Sequence, residues 1–211
     1  WEAGDALGIL PVKTGGTAPA TAAKFDYNTT SAAFEGSLND FAAGGGNYYA
    51  FFPHAKVTGT TANLPFGNLR TQDGNNFNHR YDPLVTTAPR TVDPATEELN
   101  FTLKRLTSIL KFEISGGSDQ VKALLLTADE NHPIASARFN SSTDGTGSLD
   151  MSTQDEIPVT SNVIAMTFDE GTAPALNNLH AYFNLPEGQY ESLKLDIITA
   201  NDQIGSIDLS G

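Results

Sequence analysis

The sequence predicts an all-β protein, either a sandwich or a barrel. Short β-prone runs separated by Gly, Asn, Asp, Ser, Thr and Pro recur along all 211 residues. Helical stripes, in which apolar residues recur three and four positions apart, are scarce. Near the end, alternating Leu193, Leu195 and Ile197 are followed by the turn residues "ANDQ" and a second β-prone run, Ile204 to Leu209. This pattern predicts a β-hairpin.

The first quarter of the chain contains four candidate strands. They are "DALGIL" from Asp5 to Leu10, "KFDY" from Lys24 to Tyr27, "AAFEG" from Ala32 to Gly36 and "NYYAFFP" from Asn47 to Pro53. In the last run the apolar residues occupy both parities, so a strand there would be covered by apolar surface on both faces. Pro53 is expected to end it.

The segment that follows is polar and rich in turn-forming residues. It includes "DGNNFNHRYD" from Asp73 to Asp82 and "TTAPRTVDPATEE" from Thr86 to Glu98, with few alternating apolar residues. We predict a long loop or linker over about residues 58–96. Because a structureless stretch of this length is uncommon inside a compact domain, we place a domain boundary or a surface excursion near residues 85–97.

The stretch "LNFTLKRLTSILKFEI", from Leu99 to Ile114, fits two structures. As a helix it would align Leu103, Leu106 and Leu110 on one stripe. As a strand its apolar residues alternate, but the parity changes near Arg105, which predicts a β-bulge. Since the surrounding segments are strand-like, we favour the strand.

Eight further strands are predicted after this stretch. They are Val121–Ala128, Ala135–Asn140, Gly147–Met151, Glu156–Thr160, Asn162–Phe168, Leu179–Leu185, Ser192–Ala200 and Gln203–Ser210.

The composition excludes several classes of function. The formal net charge of −13 opposes binding to nucleic acid, which depends on Lys and Arg neutralising phosphates. The absence of cysteine excludes disulfides, thiolate zinc sites and cysteine nucleophiles. No apolar run approaches the ~20 residues that a membrane-spanning helix requires.

No catalytic, cofactor-binding or metal-ligating residues are predicted, and the protein is not expected to be an enzyme. His54, His79, His132 and His180 lie far apart, and none has a helical ligand spacing. The segment from Asp73 to Asp82 lacks the spacing of a calcium loop. A nucleophile elbow and a phosphate-binding loop are also missing.

Several motifs, taken in order, resemble the fimbrillin family of Bacteroidetes. "WEAGDALGIL" from Trp1 to Leu10 is similar to the early Trp-x-x-Gly-Asp segment of the family, and "NYYAFFPHA" from Asn47 to Ala55 is similar to its Tyr-Tyr-Pro segment. The stretch from Leu99 to Ile114 resembles a family strand, although Lys104 or a neighbour stands where His is usual. The last 90 residues or so, with "LPEGQY" before a hairpin, resemble the second domain.

This resemblance implies two tandem transthyretin-like β-sandwich domains, at residues 1–96 and 97–211. It implies an exported subunit or tip adhesin of a surface fimbria, which joins other fimbrial subunits by strand addition and contacts surface glycans or proteins. It also implies a lipid anchor upstream of Trp1 and a location at the outer membrane or fimbrium.

The alternative function is a carbohydrate-binding or glycan-capturing surface lipoprotein module. It would need exposed aromatic rings on which sugars stack, and the candidates are Tyr48, Tyr49, Tyr81, Tyr182 and Tyr190. A glycoside hydrolase, a third option, would need two facing carboxylates in a cleft.

Overall fold

The chain forms two compact units, each built from three segments. The computed structural model describes residues 1–11, 22–38, 46–54, 57–58, 61–64, 68–86, 88–92, 98–135, 137–141, 147–150 and 161–209. Unit 1 comprises Trp1–Pro65, Asp82–Leu106 and Ala137–Asp150, and unit 2 comprises Phe66–Tyr81, Thr107–Ser136 and Met151–Gly211. The units therefore have different bounds from the contiguous halves that the sequence predicts.

The protein is all-β, as predicted. The described residues contain two single-turn 3-10 helices, His79–Tyr81 and Leu176–Asn178. The strands are β1 Ala6–Pro11, β2 Ala23–Asn28, β3 Ala33–Gly36, β4 Gly46–Phe52, β5 Val57–Thr58, β6 Thr61–Leu64, β7 Leu69–Gln72, β8 Leu84–Val85, β9 Arg90–Val92, β10 Lys104–Arg105, β11 Thr107–Ile114, β12 Val121–Ala128, β13 Ala137–Ser141, β14 Gly147–Asp150, β15 Val163–Phe168, β16 Leu179–Pro186, β17 Leu193–Thr199 and β18 Ile204–Asp208.

The described strands of unit 1 form two sheets. The larger has the strand order β10-β8-β4-β1-β2-β3, with β9 also paired to β4, and the smaller has the order β14-β13-β6-β5. Strand β4 lies inside the larger sheet. Its residues Tyr48 to Phe52 are all buried, which confirms that this strand is covered on both faces.

Unit 2 has the layers of a β-sandwich. A five-stranded sheet of order β18-β17-β12-β15-β7 and a two-stranded sheet formed by β11 and β16 share one apolar core. The two-stranded sheet contributes Phe112 and Phe183 to this core, and the five-stranded sheet contributes Leu124, Ile164 and Leu195. The predicted terminal hairpin is present, because β17 pairs with β18 in antiparallel fashion.

The polar segment from residue 58 to residue 96 is not a structureless linker. It contains β6 to β9 and the 3-10 helix His79–Tyr81. Strand β7 pairs in parallel with β15, which adds it to the sheet of unit 2. The alternation of apolar residues does not predict these strands, because they are short and because the buried side chains of β7 are the polar Arg70 and Gln72.

The ambiguous stretch is extended, as favoured, but its break is not a bulge. Residues 99–103 lie outside the strands, although Leu99, Phe101 and Leu103 pack against the core of unit 1. Strand β10 pairs with β8 in unit 1, whereas β11 pairs with β16 in unit 2. The parity changes at Leu106 because the chain passes there from one unit to the other.

Most of the other predicted strands match the structure within one or two residues. They correspond to β1 to β4, β12 to β14 and β15 to β18. The predicted strand Glu156–Thr160 lies outside the described residues.

Candidate functional site

The two edges of the β11–β16 sheet differ, and this difference defines the candidate site. On β16, the backbone groups of His180, Tyr182 and Asn184 bind side chains of residues 70–75 rather than β11. The backbone hydrogen-bonding groups of these three residues therefore point away from β11. We call this side of β16 the capped edge.

Two amides act together as a substitute for a neighbouring strand along the capped edge. Gln72 Nε2 donates to the carbonyl oxygen of His180 at 2.7 Å, and Gln72 Oε1 accepts from the N–H of Tyr182 at 3.1 Å. Asn75 Oδ1 accepts from the N–H of His180 at 2.8 Å, while Asn75 Nδ2 donates to the carbonyl oxygen of Asn178 at 2.7 Å. Side chains thus satisfy backbone groups that an edge strand usually leaves unpaired.

A buried arginine extends the cap. Arg70 Nη1 donates to the carbonyl oxygen of Asn184 at 3.3 Å, and the guanidinium lies 5.7 Å from the centre of the Tyr81 ring. Burial lowers the pKa of Arg70 to about 10, and the electrostatic influence of the nearby Tyr81 hydroxyl opposes this shift. Arg70 therefore stays positively charged at pH 7 and is a strong donor to the carbonyl.

The opposite edge of the sheet, on β11, is open. In the antiparallel register Ile109 faces Asn184, Lys111 faces Tyr182 and Glu113 faces His180. In an antiparallel pair, the backbone N–H and C=O groups of two directly opposed residues either bond to each other or point away from each other. The backbone groups of His180, Tyr182 and Asn184 point away from β11. The backbone groups of Ile109, Lys111 and Glu113 therefore point away from β16. We call their outward backbone groups the open edge; no strand among the described residues pairs with it.

The open edge carries opposite charges on the outer face of the sheet. Lys111 Nζ donates to Glu113 Oε1, and the ammonium lies 5.8 Å from the centre of the Tyr182 ring. The hydrogen bond from Lys111 lowers the pKa of Glu113, and the same bond raises the pKa of Lys111. Both side chains therefore carry full charge at neutral pH.

The inner side of the open edge borders an incompletely covered part of the core. Phe112 is 8% exposed, whereas Leu110 and Ile114 are only partly buried where they pack against the same core. On the outer face, Ile109 is 37% exposed. An added strand would cover this apolar surface and also form hydrogen bonds with the outward backbone groups of the open edge.

Strand β18 is also an edge strand, but its surroundings differ. Ile207 packs partly against the core, while the other four residues of β18 are exposed. A strand added beside β18 would therefore cover less of the core than one added beside β11.

The tyrosines proposed as a sugar platform are packed or bonded. Tyr48 and Tyr49 are buried in unit 1, and the other three are half-buried. Tyr81 Oη accepts from the N–H of Thr71, the Tyr182 ring packs edge-on against Phe77, and Tyr190 Oη donates to the carbonyl oxygen of Pro186. Burial makes Tyr48 and Tyr49 unavailable for sugar stacking, whereas Tyr81, Tyr182 and Tyr190 are engaged in contacts within the protein but keep part of their surface accessible.

The four histidines lie in four different parts of the described chain. His54 follows β4, His79 begins the first 3-10 helix, and His180 lies in β16. His132 lies after β12, where its Nδ1 contacts Asp129.

Sequence reasoning missed the residues that define the site. Lys111 and Glu113 lay within a predicted strand, but nothing local indicated which side of that strand would stay unpaired. Gln72 and Asn75 lay within a predicted linker. The local signal that could have found them is an amide-rich segment, since amide side chains both donate and accept as a backbone does.

Within the described residues, no helix combines the length and the apolar character needed to cross a membrane.

Comparison with known proteins gives a fold relationship. No protein-family model matches the sequence, and no curated protein matches it. The fold is similar to the crystal structure of a "putative cell adhesion protein" from Bacteroides uniformis, with a TM-score of 0.60 and 15% sequence identity over 99% of this chain and 79% of that one.

Proposed function

We propose that the protein is a fimbrillin-type surface protein, a structural subunit or tip adhesin of a bacterial fimbria. In this proposal an extended segment of another subunit pairs with the open edge of β11. Backbone hydrogen bonds then give affinity, and alternate side chains facing Leu110 and Ile114 give fit. The observation that carries the proposal is the contrast between the capped edge of β16 and the open edge of β11.

Two further considerations support this function. The ordered sequence motifs resemble fimbrillins, and the fold is similar to that of a protein named for cell adhesion. The proposal includes transthyretin-like topology in both units, export to the cell surface, a lipid anchor and contact with surface glycans or proteins. It also includes a non-catalytic role, which hydrolysis of a glycan, peptide or ester that is lost on mutating one carboxylate would contradict.

A proline at the open edge tests strand addition. Ile109→Pro removes an outward N–H and leaves the bonds between β11 and β16 in place, since proline is tolerated where its nitrogen faces away from the ladder. Ile109→Thr is the matched control because it keeps both the N–H and a β-branched side chain. In cells that produce the full-length gene product, we expect the Thr variant to reach sheared surface filaments. The Pro variant should be depleted at least tenfold.

Thermal unfolding of both purified variants verifies that the fold is retained. Equal incorporation of the Pro and Thr variants, measured by quantitative immunoblot of the filaments, would exclude strand addition at β11. Surface filaments that never contain the wild-type chain would contradict the fimbrial role as a whole.

A further inference from the structure

We infer that the open edge of β11 is self-complementary and pairs with β11 of a second copy of this chain. The pairing is antiparallel and symmetric about Phe112. It joins two β11–β16 sheets into one four-stranded sheet with the order β16-β11-β11-β16. This inference goes beyond fimbrial assembly, because it concerns a closed dimer of identical chains.

The hydrogen-bonding geometry of the strand permits this register. Pairing about Phe112 places Lys111 opposite Glu113 of the second copy, and the twofold axis repeats the contact with the roles exchanged. Both residues belong to the open edge, whose backbone groups point outward. Each of these two pairs can therefore form the two N–H···O bonds of a hydrogen-bonded antiparallel pair.

The charges select this register over its neighbours. About Phe112, both cross-strand pairs on the outer face join a lysine to a glutamate, and opposite charges directly across a strand pair stabilise it. Pairing about Lys111 would instead place two lysines opposite each other, and pairing about Glu113 would oppose two glutamates. Like charges in those positions are destabilising.

The inner face also matches itself in this register. Leu110 of one copy lies opposite Ile114 of the other, and the two Phe112 side chains face each other across the axis. Leu110 and Ile114 are the partly buried residues beside the core, so pairing covers apolar surface that each copy leaves accessible. An interface in which the same residues serve both copies closes after two chains.

Charge exchange provides the test. Lys111→Glu gives two copies that oppose glutamates, and Glu113→Lys gives two that oppose lysines. Each single variant should dimerise at least tenfold more weakly than the native chain in sedimentation equilibrium at about 0.15 M salt, where long-range repulsion between chains of net charge −13 is screened. The double variant restores both opposite-charge pairs and should recover the dimer.

Mixing the two single variants is the decisive measurement. A Lys111→Glu chain beside a Glu113→Lys chain again has opposite charges in both pairs, so the mixture should form a heterodimer. Lys122→Glu and Glu130→Lys, at exposed positions on or next to β12, change the net charge equally and should leave dimerisation unchanged. Circular dichroism and thermal unfolding establish that all variants are folded.

Three results would overturn the inference. They are a native chain that remains monomeric at every concentration, a Lys111→Glu chain that dimerises as well as Lys122→Glu, and single variants whose mixture stays monomeric. The assay uses purified chain without filaments, so its failure is distinct from failure of the proposed fimbrial function. If both proposals hold, the dimer occupies the edge that strand addition requires and competes with assembly.

Discussion

At the scale of the residue, polar side chains form the hydrogen bonds to a strand edge that a neighbouring strand usually provides. Gln72 is 1% exposed, and its amide bonds to two carbonyl oxygens and one N–H. Two of these groups belong to β16. Burying a polar side chain is favourable only when its donors and acceptors are satisfied. Gln72 meets that condition by completing the edge of a strand.

Gln72→Ala should destabilise the protein by about 3 kcal/mol. The substitution leaves the carbonyl oxygen of His180 and the N–H of Tyr182 without partners, and each unsatisfied buried group costs about 1–3 kcal/mol. Asn76→Ala, at an exposed position of the segment that follows β7, should change the free energy of unfolding by less than about 0.5 kcal/mol. Urea unfolding of the two variants measures the difference, and equal midpoints would contradict this role of Gln72.

At the scale of the element, one close approach fixes how two strands of unit 1 pack. Gly8 in β1 lies opposite Phe51 in β4, and a Cβ atom added to Gly8 would lie 2.1 Å from Cζ of the Phe51 ring. Phe51 is fully buried. Its ring therefore occupies space that any other residue at position 8 would fill.

Gly8→Ala should destabilise the protein by at least about 2 kcal/mol, because a methyl group added to a packed core forces side chains and backbone to shift. Gly205→Ala in β18 is the matched control, because a Cβ atom there meets nothing within 4 Å. Differential scanning calorimetry should show a lower melting temperature for Gly8→Ala alone. A melting temperature for Gly8→Ala equal to that of the control would mean that the Phe51 ring can move aside.

At the scale of the whole molecule, the chain does not divide into two contiguous units. Strands β10, β13 and β14 come from the second half of the sequence but belong to unit 1. Strand β7 comes from the first half and belongs to unit 2. The first half of the chain therefore lacks three strands of unit 1, and the second half lacks one strand of unit 2.

The separate fragments 1–96 and 97–211 should not fold independently. Fragment 1–96 lacks β10, β13 and β14, and fragment 97–211 lacks β7 with Arg70 and Gln72, which cap β16. Neither fragment should show a cooperative unfolding transition in urea, whereas a mixture or coexpression of both should recover one. A cooperative transition in either fragment alone would contradict this expectation.

The sequence by itself determined the fold class and the position of most longer strands. Alternating apolar residues have a period of two, so runs such as Val121–Ala128 and Leu193–Thr199 predict strands wherever one face is buried. It also determined that residues 99–114 change parity near Arg105. These features are local, because the period of a strand is a property of consecutive residues.

Only the tertiary structure decided which strands pair and which edges stay open. Gln72 bonds to a strand 108 residues away, and the outward direction of Lys111 and Glu113 follows from their pairing with that same strand. Their spacing was visible in the sequence, but the side of β11 that faces a partner was not. The direction of the backbone hydrogen bonds depends on the neighbouring strand. That strand is adjacent in the fold although it is distant in the sequence.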